Sequence, residues 1–441
     1  MISSRERWWA LINNGLEVGI GLGGIIVITR LFPLSDTGTW FMFMAVFAFT
    51  SSLRDALLQP AMVKSVSGVT EKNIYPSLKT SLMVLVSFEM LANIALFITG
   101  FFMQGPLRPL LLMYGMYSMP NAWFRWQTFF LRSQLKIRTI AISNGINAGI
   151  QLVGFMLLWR NPFSINLVVI ILGSASLAAG VYASTTISYR QIWGAQIARH
   201  DLGRIRQFGI YAMLREATSS VSSRISLFYA SALISLQQTA WLGVSQRFSQ
   251  LFLLPNNAMQ SILFPGLMAQ VNQNNLPQAR QLFHQTLAQL LALTLPLAMV
   301  VVMLSSRLLS WVNGSDYQEA WYLLSVYVLL AAVITPFGTA FGSMVTALSK
   351  PHLAFRVVLV NSLINVVLGY FLMRGWGIAG APLAMVMTEL FGIAWVSRIL
   401  KKEANISLTD TWKEVVKIYI RAYKFMGAIL EKPTFVKQLW K

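Results

Sequence analysis

Between Trp8 and Arg398 the sequence is a succession of long apolar stretches separated by short polar breaks. No other feature constrains the fold as tightly. A stretch of roughly 20 apolar residues is long enough to cross the hydrocarbon core of a bilayer as a helix. Counting apolar windows predicts spans at 8–32, 38–62, 77–103, 107–131, 138–159, 165–189, 207–232, 238–268, 281–304, 318–346, 352–373 and 377–398. The chain therefore reads as an all-α polytopic membrane protein of about twelve transmembrane helices. Composition agrees: 56% of the 441 residues are hydrophobic and 11% charged, against about 25% charged in a soluble domain. No room remains for a large soluble domain.

The formal net charge of +20 would suggest nucleic acid in a soluble protein. Here loop bias accounts for it, because cytoplasmic loops accumulate Lys and Arg. With the N-terminus inside, the inner loops and tail hold 25 of the 35 basic residues, and the outer loops hold Arg30, Arg108, Arg160, Arg307 and Arg374. Both termini are then cytoplasmic, and nucleic acid is not expected as a partner. The basic start, Met1 to Arg7, runs into the first apolar stretch without a small-residue cleavage site and reads as a retained helix. Cysteine is absent, which excludes disulfides and thiolate metal sites.

The pattern divides the chain into a six-helix bundle over 1–190, a cytoplasmic linker over 191–206, a second six-helix bundle over 207–400 and a basic amphipathic tail over 401–441. The halves echo each other. Leu57-Leu58-Gln59-Pro60-Ala61-Met62-Val63 ends the second span, and Ile262-Leu263-Phe264-Pro265-Gly266-Leu267-Met268 ends the eighth. Arg138 precedes Asn147 by nine positions, as Arg356 precedes Asn365. Two equally oriented bundles around a midplane cavity are a transporter geometry.

Charges inside the spans carry the functional argument. Arg54, Arg125, Arg215, Arg224 and Arg247 are intramembrane cations; Glu17, Asp55, Glu89, Glu216 and Glu389 are intramembrane acids. A charge at mid-bilayer costs about 2.5–3.5 kcal/mol on insertion scales, so these groups face protein or a watery cavity. One reading is internal ion pairing. Arg54–Asp55 and Arg215–Glu216 are sequence neighbours about 100° apart on a helix, which disfavours pairing within their own helix and leaves pairing across the two halves as structural glue. The other reading is a cationic cavity, since Arg is suited to phosphate and carboxylate groups. The acids then serve as counter-ions or coupling carriers, with Glu17 foremost. Asn144, Asn147, Asn361 and Asn365 either contact sugar hydroxyls or bond across helices.

Other features have plainer roles. Gly19-Ile20-Gly21-Leu22-Gly23-Gly24 formally fits a dinucleotide fingerprint but follows no strand, so the fingerprint is discarded. Gly15, Gly19 and Gly23 predict a close-packing face. Pro60, Pro120, Pro255, Pro265, Pro296, Pro336 and Pro382 predict kinks whose freed carbonyls neighbouring helices satisfy. His200, His284 and His352 fall in loops without metal-ligand spacing, no Walker-type phosphate loop exists, and no catalytic residue is assigned. In the tail, Trp412, Val415, Val416, Tyr419, Ile420, Tyr423 and Met426 alternate with Lys413, Lys417, Arg421 and Lys424, predicting a basic amphipathic helix lying on the inner leaflet.

Three segments resemble a known family. Leu242 through Arg247 to Pro255-Asn256-Asn257 and Phe264-Pro265-Gly266 resembles the eighth helix of lipid-linked oligosaccharide flippases. Asn313-Gly314-Ser315-Asp316-Tyr317 followed by Ala320 resembles the start of their tenth helix. Arg374-Gly375-Trp376-Gly377-Ile378-Ala379-Gly380-Ala381 resembles the start of their twelfth. These flippases share the multidrug/oligosaccharidyl-lipid/polysaccharide exporter superfamily with the multidrug and toxic-compound extruders. The resemblance implies a MATE-like fold and a flippase that moves an isoprenoid-pyrophosphate-linked oligosaccharide across a bacterial inner membrane by alternating access. Such a protein serves surface polysaccharide or lipopolysaccharide (O-antigen) synthesis, beside membrane lipids and polysaccharide polymerase machinery. No bound cofactor is expected, and the buried acids suggest coupling to a proton or sodium gradient.

Rival functions fit less well. A multidrug extruder of the same superfamily wants an acid-dominated cavity for organic cations. A major-facilitator transporter carries Gly-x-x-x-Asp-Arg after its second helix, which the segment from Lys64 to Lys79 lacks. A membrane glycosyltransferase or polymerase usually has a large outer loop, and the predicted spans leave none.

Overall fold

The computed structural model describes residues 4–66, 74–134, 136–160, 164–197, 202–203 and 209–431. All secondary structure among them is helical. The helices are α1 (Ser4–Leu31), α2 (Leu34–Val66), α3 (Tyr75–Phe102), α4 (Leu107–Leu112), α5 (Tyr114–Ser133), α6 (Ile137–Arg160), α7 (Asn166–Ser184), α8 (Tyr189–Gly194) and α9 (Ile210–Leu233). They continue with α10 (Leu236–Ser249), α11 (Leu253–Asn272), α12 (Leu276–Asn313), α13 (Trp321–Leu329), α14 (Thr335–Ala347), α15 (Pro351–Trp376), α16 (Gly380–Ala404) and α17 (Leu408–Glu431).

Among the described residues, each of the twelve predicted spans falls on helix. Three are broken: the fourth at Met113, the eighth by a 3₁₀ turn over Gln250–Phe252, and the tenth by a π turn over Leu330–Ile334. Among the described residues, seven helical stretches are long and apolar enough to cross a membrane on composition alone, and one of these, His352–Ala404, contains two predicted spans. The helices that fail this measure include α5, α9 and α10, which carry Arg125, Arg224 and Arg247. In α5 and α9 the charged and polar residues lower the hydropathy, whereas α10 is only 14 residues long because the 3₁₀ turn ends it. Large apolar side chains nevertheless stand exposed along the bundle, as at Leu91 (70%), Phe102 (79%) and Met303 (79%). Apolar surface on this scale is the mark of a lipid-facing protein.

A proline accounts for the break in the tenth span. Pro336 lacks an N–H, so the carbonyl of Ala332 four residues earlier loses its helical donor. Thr294 Oγ1 on α12 donates to that carbonyl at 2.8 Å, supplying the rescue expected at an intramembrane proline. Pro120 likewise frees the carbonyl of Met116. There α7 comes so close that a Cβ on Gly173 would stand 2.2 Å from the Met116 oxygen. The Gly-x-x-Gly segment at 377–380 divides two duties. Gly377 ends α15 at φ +62, a conformation that favours glycine. Gly380 lets α16 turn back within 2.3 Å, measured from an added Cβ, of the Leu372 backbone.

The chain forms two compact units, Met1–Gly243 with Val312–Gly314, and Val244–Trp311 with Ser315–Lys441. In the first, Leu58, Leu78, Trp126 and Phe129 anchor one core cluster, and Trp40, Phe43, Tyr114 and Val168 a second. In the second unit, Leu267, Phe283, Leu291, Phe341, Met344 and Leu400 form the core. The units divide at Gly243 and not at the linker 191–206, part of which lies outside the described residues. Helix α9, expected in the bundle 207–400, packs along α2. A Cβ on Gly209 would stand 2.4 Å from the Leu57 carbonyl oxygen, so small residues allow that close approach.

Three local expectations are corrected. Gly15, Gly19 and Gly23 meet nothing within 4 Å among the described residues; α1 packs on α6 through Gly24 against Phe155 instead. His284 lies inside α12, paired with Thr411 at 2.8 Å, and His352 lies in the first turn of α15; neither is in a loop. His200 is outside the described residues. The tail helix α17 does not lie alone on a leaflet, because one side of it is buried in the second core at Val415 (2% exposed).

Candidate functional site

Helix α2 carries Thr50, Ser52, Arg54 and Asp55 within two turns. All four are used. Arg54 is 1% exposed; its Nε donates to Asp55 Oδ1 at 2.9 Å and its Nη1 to Glu89 Oε1 on α3 at 3.0 Å. The neighbour pair therefore does close within one helix, contrary to expectation, because the long Arg side chain folds back over Asp55. The other oxygen of Asp55 accepts from Arg125 Nη2 on α5 at 3.2 Å. Arg54, Arg125, Asp55 and Glu89 thus balance two positive charges against two negative ones across three helices.

Exposure separates the two arginines. Arg54 is sealed, with its Nη2 buried and without a partner among the described residues. Arg125 keeps 36% of its side chain accessible and lies 5.3 Å over the Phe129 ring. A cation over an aromatic face is held by the ring quadrupole while its N–H edge stays free to donate. Asn93, one turn after Glu89, donates to the Glu89 carbonyl at 2.7 Å and to Ser118 Oγ at 3.1 Å, which ties α3 to α5 below the ions.

A second polar line abuts α2 from α9. Glu216, Ser220 and Arg224 are spaced four apart and so share one helix face. Ser220 Oγ donates to Glu216 Oε1 at 3.1 Å, accepts from Arg224 Nη1 at 2.8 Å, and meets Ser52 Oγ at 2.7 Å. Arg224 is half-buried and Ser220 only 1% exposed. Thr50 bonds the Tyr114 hydroxyl one turn away. Within six residues of α2, Thr50 therefore holds a hydroxyl pair, Ser52 a serine bridge and Arg54–Asp55 an ion cluster.

The remaining predicted residues lie elsewhere. Arg215 is exposed on α9. Arg247 belongs to the second compact unit and donates to Gln250 Oε1 at 3.4 Å. Glu389 is half-buried on α16 and has no ion partner among the described residues. The side chain of Glu17 lies outside the described residues. Asn144 is buried on α6, and Asn147 accepts from Gln151 within the same helix. Asn361 packs against Gly392, and its Oδ1 is buried without a partner among the described residues; Asn365 lies on the same helix, half-buried. Sequence reasoning passed over Ser52, Asn93, Ser118 and Ser220. Two of them had a signal: Asn93 stands four after Glu89, and Ser220 midway between Glu216 and Arg224 at helical spacing.

Comparison with known proteins gives a consistent result. Residues 107–440 match the family model described as lipid II flippase MurJ. Two proteins of Haloferax volcanii are similar in sequence. "Probable low-salt glycan biosynthesis flippase Agl15" is 24% identical over 166 residues, 37% of this chain and 34% of the relative. "Probable flippase AglR" is 22% identical over 233 residues, 52% of this chain and 48% of the relative. The matches thus span about a third and about half of those relatives. Among solved structures, lipid II flippase MurJ in an inward closed conformation superposes with a TM-score of 0.71 at 13% identity, covering 96% of this chain and 92% of the other. A multidrug resistance MATE family transporter, inward-facing, gives 0.66 at 15% identity, with 88% and 96% covered. These structural likenesses establish the fold.

Proposed function

The chain belongs to the lipid II flippase MurJ family, and from that membership we propose that it translocates an isoprenoid-pyrophosphate-linked glycan between leaflets by alternating access. It is a multi-pass membrane protein of a transporter family, and its family does not catalyse covalent chemistry. The observation that carries the reading is the difference between Arg54 and Arg125. The first is neutralised inside the protein, whereas the second is held by Asp55 and Phe129 with over a third of its side chain accessible. A partly exposed, pre-positioned guanidinium is a suitable donor for a pyrophosphate oxygen. Arg224, fixed by Ser220 on the adjoining face of the same unit, supplies a second donor. Of the five arginines expected from sequence, Arg215 and Arg247 are proposed as further donors and Arg54, sealed by Asp55 and Glu89, is not; Asn144, Asn147, Asn361 and Asn365 are proposed sugar contacts.

In this reading the glycan is a surface polysaccharide or lipopolysaccharide unit, and the membrane is a bacterial inner membrane with both termini cytoplasmic. A polysaccharide polymerase receives the product. A proton or sodium gradient drives the cycle, with Glu389 and Glu17 as carriers, while Asp55, Glu89 and Glu216 act as counter-ions.

The test is a vesicle assay with the reconstituted protein and an isoprenoid-pyrophosphate-linked glycan bearing a fluorophore quenched from outside. Arg125→Ala and Arg224→Ala are expected to slow flipping at least tenfold while remaining folded. If both variants flip the glycan at the unaltered rate, the arginine-pyrophosphate reading is wrong.

A further inference from the structure

Helix α17 shows three arcs around its axis. Thr411 (0% exposed), Val415 (2%) and Ile418 face the core of the second unit. Thr411 pairs with His284 at 2.8 Å, and the Tyr419 hydroxyl donates to the Ala292 carbonyl at 3.1 Å. Each of these partners is 127 positions from its mate. Helix α17 therefore runs beside α12 in the same direction, towards the apolar part of α12 that exposes Leu293 (62%) and Leu297 (52%). The Trp412 ring also lies 6.2 Å from that of Phe337 on α14.

A second arc adjoins the buried one. At 100° per residue, Trp412, Val416, Tyr419 and Ile420 fall on a single strip, and they are 40%, 54%, 38% and 50% exposed. Lys413, Lys417 and Arg421 fall on the third arc, on the far side of that strip from the core, and all three are exposed. An exposed apolar strip bounded by protein on one edge and by cations on the other sets a face for acyl chains beside side chains that can reach lipid phosphates. Charge agrees as well. Lys413 and Lys417 pair with Asp410 and Glu414, yet from Arg398 to the end ten basic residues face four acidic ones. Those pairs hold the Asp410 and Glu414 carboxyls below the usual carboxylate range.

We propose that α17 is a lipid-binding helix docked on the second unit, which takes anionic phospholipid of the cytoplasmic leaflet between its exposed apolar strip and its Lys413–Lys417–Arg421 edge. The strip continues the exposed apolar surface of α12 at Leu293 and Leu297, and basic residues beside it are attracted to an anionic leaflet surface. Trp412 of this strip also lies 6.2 Å from Phe337, one turn after the π turn of the tenth span.

The natural absence of cysteine makes the test direct. Full-length variants Val416→Cys, Ile420→Cys and Lys413→Cys are spin-labelled and reconstituted into vesicles of phosphatidylcholine alone or with phosphatidylglycerol. With phosphatidylglycerol, labels at 416 and 420 are expected to become more accessible to oxygen than to a water-soluble nickel chelate. The label at 413 is expected to stay at headgroup depth. Adding Lys417→Gln and Arg421→Gln to the labelled 416 variant is expected to abolish the response to phosphatidylglycerol. Labels at 416 and 420 that favour the nickel chelate, or that respond identically to both lipids, overturn the proposal. So does shielding from both reagents, which would indicate a protein partner or a second copy of the chain.

Discussion

Arg54 and Glu89 meet at 3.0 Å with side chains only 1% and 6% exposed, joining α2 to α3 inside the apolar bundle. Removing Glu89 leaves Arg54 and Arg125 sharing Asp55, one positive charge in excess inside the bundle, and breaking a buried pair costs about 3–5 kcal/mol. Glu89→Ala is therefore expected to lower the melting temperature of the purified protein markedly. The double variant Arg54→Met, Glu89→Leu is expected to recover most of the loss, because Asp55 retains Arg125. Equal melting temperatures for the single and double variants would show that charge compensation is not what the pair provides.

Arg125 should separate stability from transport. Its ion pair with Asp55 is partly solvated, and such pairs contribute about 0–1 kcal/mol. A charged hydrogen bond to substrate is worth about 1.5–3 kcal/mol. Arg125→Gln should unfold within a few degrees of the unaltered protein while its apparent substrate affinity falls roughly tenfold to a hundredfold. Titration of flipping rate against substrate concentration checks this.

Thr294 is expected to matter through one oxygen. Thr294→Val keeps the side-chain shape but leaves the Ala332 carbonyl without its donor, costing about 1–3 kcal/mol. Thr294→Ser should keep most of the stability. Thermal unfolding of the two variants side by side distinguishes a hydrogen bond from simple packing.

Gly173→Ala should force α5 and α7 apart, since its Cβ would stand 2.2 Å from the Met116 oxygen. Overpacking of this kind costs about 1–3 kcal/mol. Gly149→Ala, with nothing within 4 Å, is the control on a neighbouring helix and should be neutral or slightly stabilising. The comparison is again of melting temperatures.

How much of this was legible in the sequence follows from what each property depends on. The twelve spans were, because hydropathy sums over a local window and Trp8 to Arg398 contains little else. So was the Gly377-x-x-Gly380 segment that marks where α15 gives way to α16. Which charges neutralise one another was not. Arg54 and Arg125 look alike in sequence, yet α3 brings Glu89 to the first, whereas the second shares Asp55 and stays accessible. That outcome depends on the rotation of α2, α3 and α5 about their axes and on side-chain reach. Both are set by packing between segments tens of residues apart. The same holds for α9, whose apolar length announced a membrane helix but whose contact with α2 required the close approach at Gly209 and the Ser52–Ser220 bond. The sequence alone determined that the chain crosses a membrane many times with charges inside it. Only the tertiary structure decided which of those charges are sealed against each other and which remain open to a ligand, because charge compensation is a property of neighbours in space.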